Sequence, residues 1–336
     1  MQSKSNLFQS GLFFLLSLSL MFCACTSGNR QDKGRQKKSK PKISISGAFA
    51  LYPLTVRWAE IFNRENPDIK IDISAGGAGK GMVDAMSGMV DLGMFSRHIT
   101  EAEQAQGVWY IAVAKDAVVP TINAKNPALE LIQQKGIPRS VFQEIYLEKH
   151  NKKWSDLTGN PNDNEVIKVY TRSDACGAAE MWAQFLGKSQ ENLEGIGIFG
   201  DPGIADAVKS DLNGIGFNNI IFAYDLKTGK PFEGLGIIPI DLNENGRIDP
   251  EENFYDQITD INKAIADNQY PSPPARELYF VAKSYPENEY VRQFINWILT
   301  EGQQYVQEAG YVPLDEQSLK IQLQKLNRDT ADNNDQ

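Results

Sequence analysis

The chain has 336 residues, 41% of them hydrophobic, with 34 Lys and Arg against 43 Asp and Glu, for a formal net charge of −9. That length and apolar content suit a globular body of about two domains rather than a disordered chain, and the acidic balance argues against nucleic acid as a partner. Two histidines and three cysteines leave little material for a His-rich zinc site or a Ser-His-Asp triad.

At the N-terminus Lys4 precedes the apolar run LFFLLSLSLMF and Cys23-Ala24-Cys25. A positive charge, a short apolar stretch and a small residue before cysteine are the marks of a secretory signal. The run is short of the roughly 20 residues that a spanning helix needs. Residues 1–25 are therefore expected to be a lipoprotein signal peptide with Cys25 as the lipidated residue. An ordinary signal peptide and an uncleaved anchor are the alternatives. Residues 26–42 carry Arg30, Lys33, Arg35, Lys37, Lys38, Lys40 and Lys42 against Asp32. With no apolar period, they read as a basic flexible tether, whose charge also suits an anionic membrane surface. With Cys23 removed and Cys25 lipidated, Cys176 is the lone thiol of the body. The fold must then rest on its core and not on disulfides.

Further along, KISISG (42–47) and IKIDIS (69–74) alternate as strands, with a helix from Pro53 between them. GGAGKG (76–81) is a turn into the helix GMVDAMSGM, and VDLGMF (90–95) is a strand. VWYIAVAKDAVVPTIN (108–123) supplies one or two more strands, and IPRSVFQEIYL a helix. EVIKVYT (165–171) is a strand, IGIFGDPGIADAVKS contains a helix, and IGFNNIIFAYD and LGIIPID are strands. FYDQITDINKAIAD, YVRQFINWILT and EGQQYVQEAG are helical, with the strand RELYFVAK between the first two. Alternating strands and helices predict an α/β fold. No internal repeat and no later membrane-spanning run is present. His98 and His150 lack partner motifs and read as surface residues.

Three Gly-containing turns stand at strand-to-helix junctions: SGAFALYP (46–53), AGGAGKG (75–81) and SDACGA (173–178). Free N–H groups and the dipole at such junctions favour an anion. Each Gly also has a plain geometric use. Neither the phosphate-loop pattern nor the dinucleotide fingerprint is complete. The Arg172–Asp174 pair is open to two readings, a surface salt bridge or a ligand-facing bidentate pair.

With these turns, the motifs SGAFALYPLTVRWAEIF, GGAGKGMVDAMSGMVDLGMFSR, KDAVVPTINAKNP, KKWSDLTG, TRSDACG and FINWILTEGQQYVQEAGYVPL make the chain resemble the phosphate-binding proteins of bacterial phosphate ABC transporters. The likeness covers residues 43–315. It implies a type II periplasmic-binding fold: two α/β lobes, a hinge and an interlobe cleft. Lobe 1 would comprise 43–118 and 270–330, and lobe 2 residues 119–269. It implies an extracytoplasmic lipoprotein that captures an oxyanion, phosphate by resemblance, for a membrane permease by hinge closure. The implied site is Gly47, Ala48, Phe49, Ala50, Gly77, Ala78, Gly79, Ser96, Arg97, Arg172, Asp174, Cys176, Gly177 and Ala178. The family places hydroxyls where this chain has Phe49 or Ala50, Ala78, Cys176 and Ala178. Weak phosphate binding, a different anion with an apolar part, and a slip of alignment at the first turn all remain open. So does an anion sensor or scaffold of the same fold.

Cys176 at a helix entrance also invites a nucleophile, but no histidine is placed to serve as its base. A packed or ligand-lining thiol is the better reading, and no enzymatic activity is expected. DLNENGRIDPEE (241–252) fits the calcium-loop pattern D-x-[DN]-x-[DN]-G-x5-E. Asp241, Asn243, Asn245, the Arg247 carbonyl, Asp249 and Glu252 are its expected ligands, around a structural Ca2+.

Overall fold

The computed structural model describes residues 40–148 and 152–332, with side chains as far as Asn327. The expected signal peptide with Cys25, the tether up to Ser39, and His150 lie outside the described residues.

Eleven strands are described: β1 (Lys42–Gly47), β2 (Lys70–Ala75), β3 (Leu92–Phe95), β4 (Trp109–Asn123), β5 (Ile137–Pro138), β6 (Lys168–Arg172), β7 (Ile196–Ile198), β8 (Gly214–Asn219), β9 (Leu235–Ile237), β10 (Ile240–Asp241) and β11 (Ala275–Ala282). Among the described residues they form one nine-stranded sheet, ordered β2-β1-β3-β11-β4-β8-β6-β7 with β9 on β4, and a small β10-β5 pair. β1 lies parallel to β2 and β3, so each crossover needs a helix. Those helices are Tyr52–Glu65 and Ala78–Met86. β11 runs antiparallel to both β3 and β4.

The sheet changes its allegiance along β4. Residues 109–117 pair with β11, whereas Val118–Ile122 pair with β8 and Thr121–Asn123 with β9. The apolar packing divides at the same point. One core gathers Ile43, Trp58, Phe62, Ile111 and Ala114 with Phe280 and Phe294. The other begins at Ala117 and gathers Val119, Phe142, Trp154, Trp182 and Phe217. The architecture is mixed α/β, and β4 and β11 tie its two halves together.

Some sequence expectations shift. Of the one or two strands expected in 108–123, the chain forms one, Trp109–Asn123, of 15 residues, with every residue from Ala117 to Asn123 buried. The helix after the second Gly turn already begins at Ala78. IGFNNIIFAYD stops being a strand at Asn219 and turns into the short helix Ile220–Ala223. EGQQYVQEAG holds a 3-10 turn, Glu301–Tyr305. The helix Glu316–Asp332 was not anticipated. Leu319, Leu323 and Leu326 pack it on the first core, and the Gln322 side chain accepts a hydrogen bond from Ala112 N at 3.1 Å.

Candidate functional site

The first two Gly turns are built against each other. At Gly47 (φ +132°) a Cβ would stand 2.3 Å from the Met94 carbonyl oxygen, and at Gly81 the same oxygen would be 2.4 Å away. Only glycine permits this approach. The Gly47 carbonyl accepts from the N–H groups of Gly76 and Gly77 at 2.9 and 3.1 Å. Ser46 Oγ donates to Asp84 at 2.6 Å, and Lys80 pairs with the same carboxylate. These contacts fix the N-terminus of the helix Ala78–Met86.

The third turn meets the second directly. Gly79 N–H donates to the Ala175 carbonyl at 3.1 Å. A Cβ at Gly77 would fall 2.9 Å from Asp174 Oδ2, and one at Gly177 would fall 2.2 Å from both the carbonyl oxygen and Oγ of Ser96. Phe49 lies 5.7 Å from the Arg172 guanidinium carbon and meets Phe199 edge-on at 5.8 Å. Gly47, Ala48, Phe49, Ala50, Gly77, Ala78, Gly79, Ser96, Arg172, Asp174, Cys176, Gly177 and Ala178 are thus drawn to one place, and most are buried. Arg97 follows Ser96, and both ends of its guanidinium lie on Glu103, at 3.0 and 2.7 Å. His98 is exposed.

The Arg172 side chain is 1% exposed, which excludes the surface salt-bridge reading. Its Nε and Nη2 donate to the two Asp174 oxygens at 2.8 and 2.6 Å, and Nη1 donates to Asp201. Burial opposes its charge, but Asp201, Cys176 and Asp174 outweigh that and hold its pKa above the ordinary value. Asp174 also accepts from Gly200 N at 3.1 Å.

Cys176 caps the helix Gly177–Phe185. Its sulfur accepts from Ala179 N at 3.4 Å, as a serine hydroxyl would. The first N–H groups of that helix, at Gly177 and Ala178, have no acceptor within the helix. Burial pushes the Cys176 thiol up to about 12, against a downward pull from Arg172. So high a pKa suits a packed, protonated thiol better than a thiolate nucleophile.

The sequence reasoning missed several residues here. Asp201 Oδ1 accepts from Asn219 N and Nδ2 at 3.2 and 2.7 Å. Asn219 Oδ1 accepts from Arg276 Nη2, and Arg276 Nε donates to the Ser96 carbonyl at 3.2 Å. Asp116 Oδ2 stands 3.5 Å from Arg276 Nη2. Burial pushes Asp116 up to about 6, although Arg276 pulls it down. Gln190 braces the third turn, accepting from Cys176 N at 3.1 Å and donating to the Asp174 carbonyl at 2.7 Å. One signal was available: Arg276 interrupts the otherwise apolar core positions of β11.

The loop 241–252 is a separate feature. Asp241 accepts from the N–H groups of Asn245 and Gly246 at 3.2 and 2.8 Å. Glu252 Oε1 accepts from Leu242 and Asn243 at 2.9 and 3.2 Å, and its Oε2 from Asp249 at 3.2 Å. The amides of Asn243 and Asn245 donate to Asp249 Oδ2 at 3.0 and 2.7 Å, and Arg247 Nε reaches its Oδ1 at 2.8 Å. Among the described residues, no group of three or more His, Cys, Asp or Glu side chains is placed to hold a metal ion.

The description of the PBP superfamily domain matches residues 27–301. The chain is 25% identical to the phosphate-binding protein PstS of Methanocaldococcus jannaschii, over 89% of each chain. It is 24% identical to the phosphate-binding protein PstS of Bacillus subtilis, over 90% of this chain and 93% of that one. A crystal structure of a putative phosphate ABC transporter substrate-binding protein with bound phosphate, from Clostridium perfringens, aligns with a TM-score of 0.66 and 23% identity. That alignment covers 82% of this chain and all of the other. An ABC-type phosphate transport receptor from Vibrio cholerae aligns at 0.59 and 19%, over 81% of this chain.

Proposed function

The chain belongs to the PBP superfamily, and from that premise we propose that it is the solute-binding component of an ABC transporter and captures phosphate in the cleft between its lobes. The observation that carries this reading is the meeting of three Gly turns at the N-terminus of the helix Gly177–Phe185, beside the buried guanidinium of Arg172. Backbone N–H groups, the helix dipole and Ser96 suit an oxyanion. The names of the relatives supply phosphate as its identity.

Binding works by population shift. The lobes turn about β4 and β11, and a ligand that touches both selects the closed arrangement. No bond is made or broken. Each hydroxyl replaced by Ala or Cys removes a hydrogen bond to a charged group, about 1.5–3 kcal/mol, so affinity is set mainly by backbone donors. Calorimetric titration of phosphate into anion-stripped protein tests this. Saturation at micromolar phosphate supports the reading, and no heat at millimolar phosphate sinks it.

The proposal extends to an extracytoplasmic site of action, with the chain held by a lipid on Cys25 and the basic tether 26–42. Release from the membrane fraction on Cys25→Ala is the expected result, and an unchanged distribution would refute it. A Ca2+ in the loop 241–252 belongs to the same proposal. The carboxylates of Asp241, Asp249 and Glu252, the side-chain oxygens of Asn243 and Asn245 and the Arg247 carbonyl would hold it, provided the loop rearranges and the carboxylates give up the hydrogen bonds they accept from within it. Millimolar calcium should raise the melting temperature of the parent chain and not of Glu252→Gln. Equal responses of the two would remove calcium.

A further inference from the structure

We infer that Phe49 and Phe199 form an aromatic latch between the lobes, on the solvent side of Arg172, and that the parting of the two rings sets the rate at which the bound oxyanion leaves. The ligand here rests on the oxyanion-binding reading above, whereas the latch is a contact within the chain.

Phe49 stands in the first turn but not in the core beneath it. Ala48, Ala50 and Leu51 beside it are buried in the core of lobe 1, while the Phe49 ring makes its contacts with lobe 2. It meets Phe199 edge-on, with centroids 5.8 Å apart and planes at 83°. A Cβ at Gly200 would stand 3.3 Å from Phe49 Cζ, so the ring rests on the main chain that opens the helix Gly200–Ser210. The Arg172 guanidinium carbon lies 5.7 Å from the ring centroid, within reach of cation–π attraction.

From inside outwards the order is Arg172, 1% exposed, then Phe49, partly buried, then Phe199, 61% exposed. The two rings therefore lie between the guanidinium and solvent. So exposed a ring adds little to the stability of its own lobe. Its aromatic neighbour is Phe49, across the cleft, and edge-to-face pairs attract beyond the area they bury. Opening the lobes draws residue 49 away from residue 199, so the pair is broken each time the cleft opens. An anion beside Arg172 is then shut from water by a contact that the lobes make for themselves.

The test uses the intact chain labelled with 4-fluorophenylalanine, with inorganic phosphate as the probe. In the 19F spectrum of the anion-free or the phosphate-saturated protein, the Phe49 signal should move in Phe199→Ala. In stopped-flow mixing, phosphate should leave Phe199→Ala about 2–10-fold faster, the worth of one aromatic pair. The association rate and the melting temperature should stay near the parent's. Adding Phe199→Ala to Phe49→Leu should cause no further acceleration. Saturable phosphate binding with an unchanged release rate in Phe199→Ala overturns the latch and leaves the phosphate reading in place. So does an equal acceleration in the Phe49→Leu background, because Phe199 would then act without Phe49. If phosphate does not bind at millimolar concentration and the Phe49 signal still moves in Phe199→Ala, the phosphate reading falls and the latch stands. If phosphate does not bind and the signal stays, both fall.

Discussion

Ala78 and Ala178 each occupy the first turn of a helix that faces the cleft, and each is buried. A methyl there contributes nothing to an anion, whereas a hydroxyl donates to it. Ala78→Ser and Ala178→Thr should each tighten phosphate binding about 10–100-fold, from about 1.5–3 kcal/mol per charged hydrogen bond. Calorimetry reads this directly, and unchanged affinity in both would place the anion away from these turns. Asp116 gives a second prediction at this scale. Burial raises its folded pKa to about 6, above the ordinary value of 3.8. Between these values the folded state holds more protons than the unfolded one, so stability falls as pH rises. This contribution is fully present below pH 3.8 and lost as pH passes 6. In Asp116→Asn the urea midpoint should lose that part of its pH dependence. A profile parallel to the parent's would mean that Asp116 does not titrate there.

At the scale of elements, Gly177 is the tightest joint. A Cβ there would meet the backbone of Ser96 at 2.2 Å, in the opposite lobe of the cleft. Gly177→Ala should therefore hold the lobes apart and weaken phosphate binding about 100-fold, roughly 2.7 kcal/mol. Each core should melt much as before. An unchanged affinity would show that the anion is held with the cleft ajar. Much of this geometry was legible in the sequence, because Gly at a strand-to-helix junction advertises itself through chain order alone. The turns at Gly47, Gly77 and Gly177 came from that signal. The Arg276–Asn219–Asp201 relay did not, because its members come from distant segments that only β11, β8 and the helix Gly200–Ser210 bring together. Nor did the helix Glu316–Asp332, whose apolar side is only three leucines against a polar sequence.

For the whole molecule, the acidic balance matters most. A net charge of −9 repels a phosphate ion, and the two guanidiniums near the cleft are matched by Asp116, Asp174 and Asp201. Screening at about 0.15 M salt confines such fields to about 8 Å. The association rate of phosphate should therefore rise a few-fold between low salt and about 0.15 M. Stopped-flow mixing would measure it, and a falling rate would mean that a local positive field at the cleft mouth prevails. The bond that joins the second and third turns, from Gly79 N–H to the Ala175 carbonyl, is made of main chain on both sides. Main chain is the one material that substitution leaves in place. A lineage that exchanged Ser for Ala or Cys around this cleft would have altered what the lobes close upon without unmaking the way they close, so the choice of cargo and the act of capture are free to evolve separately.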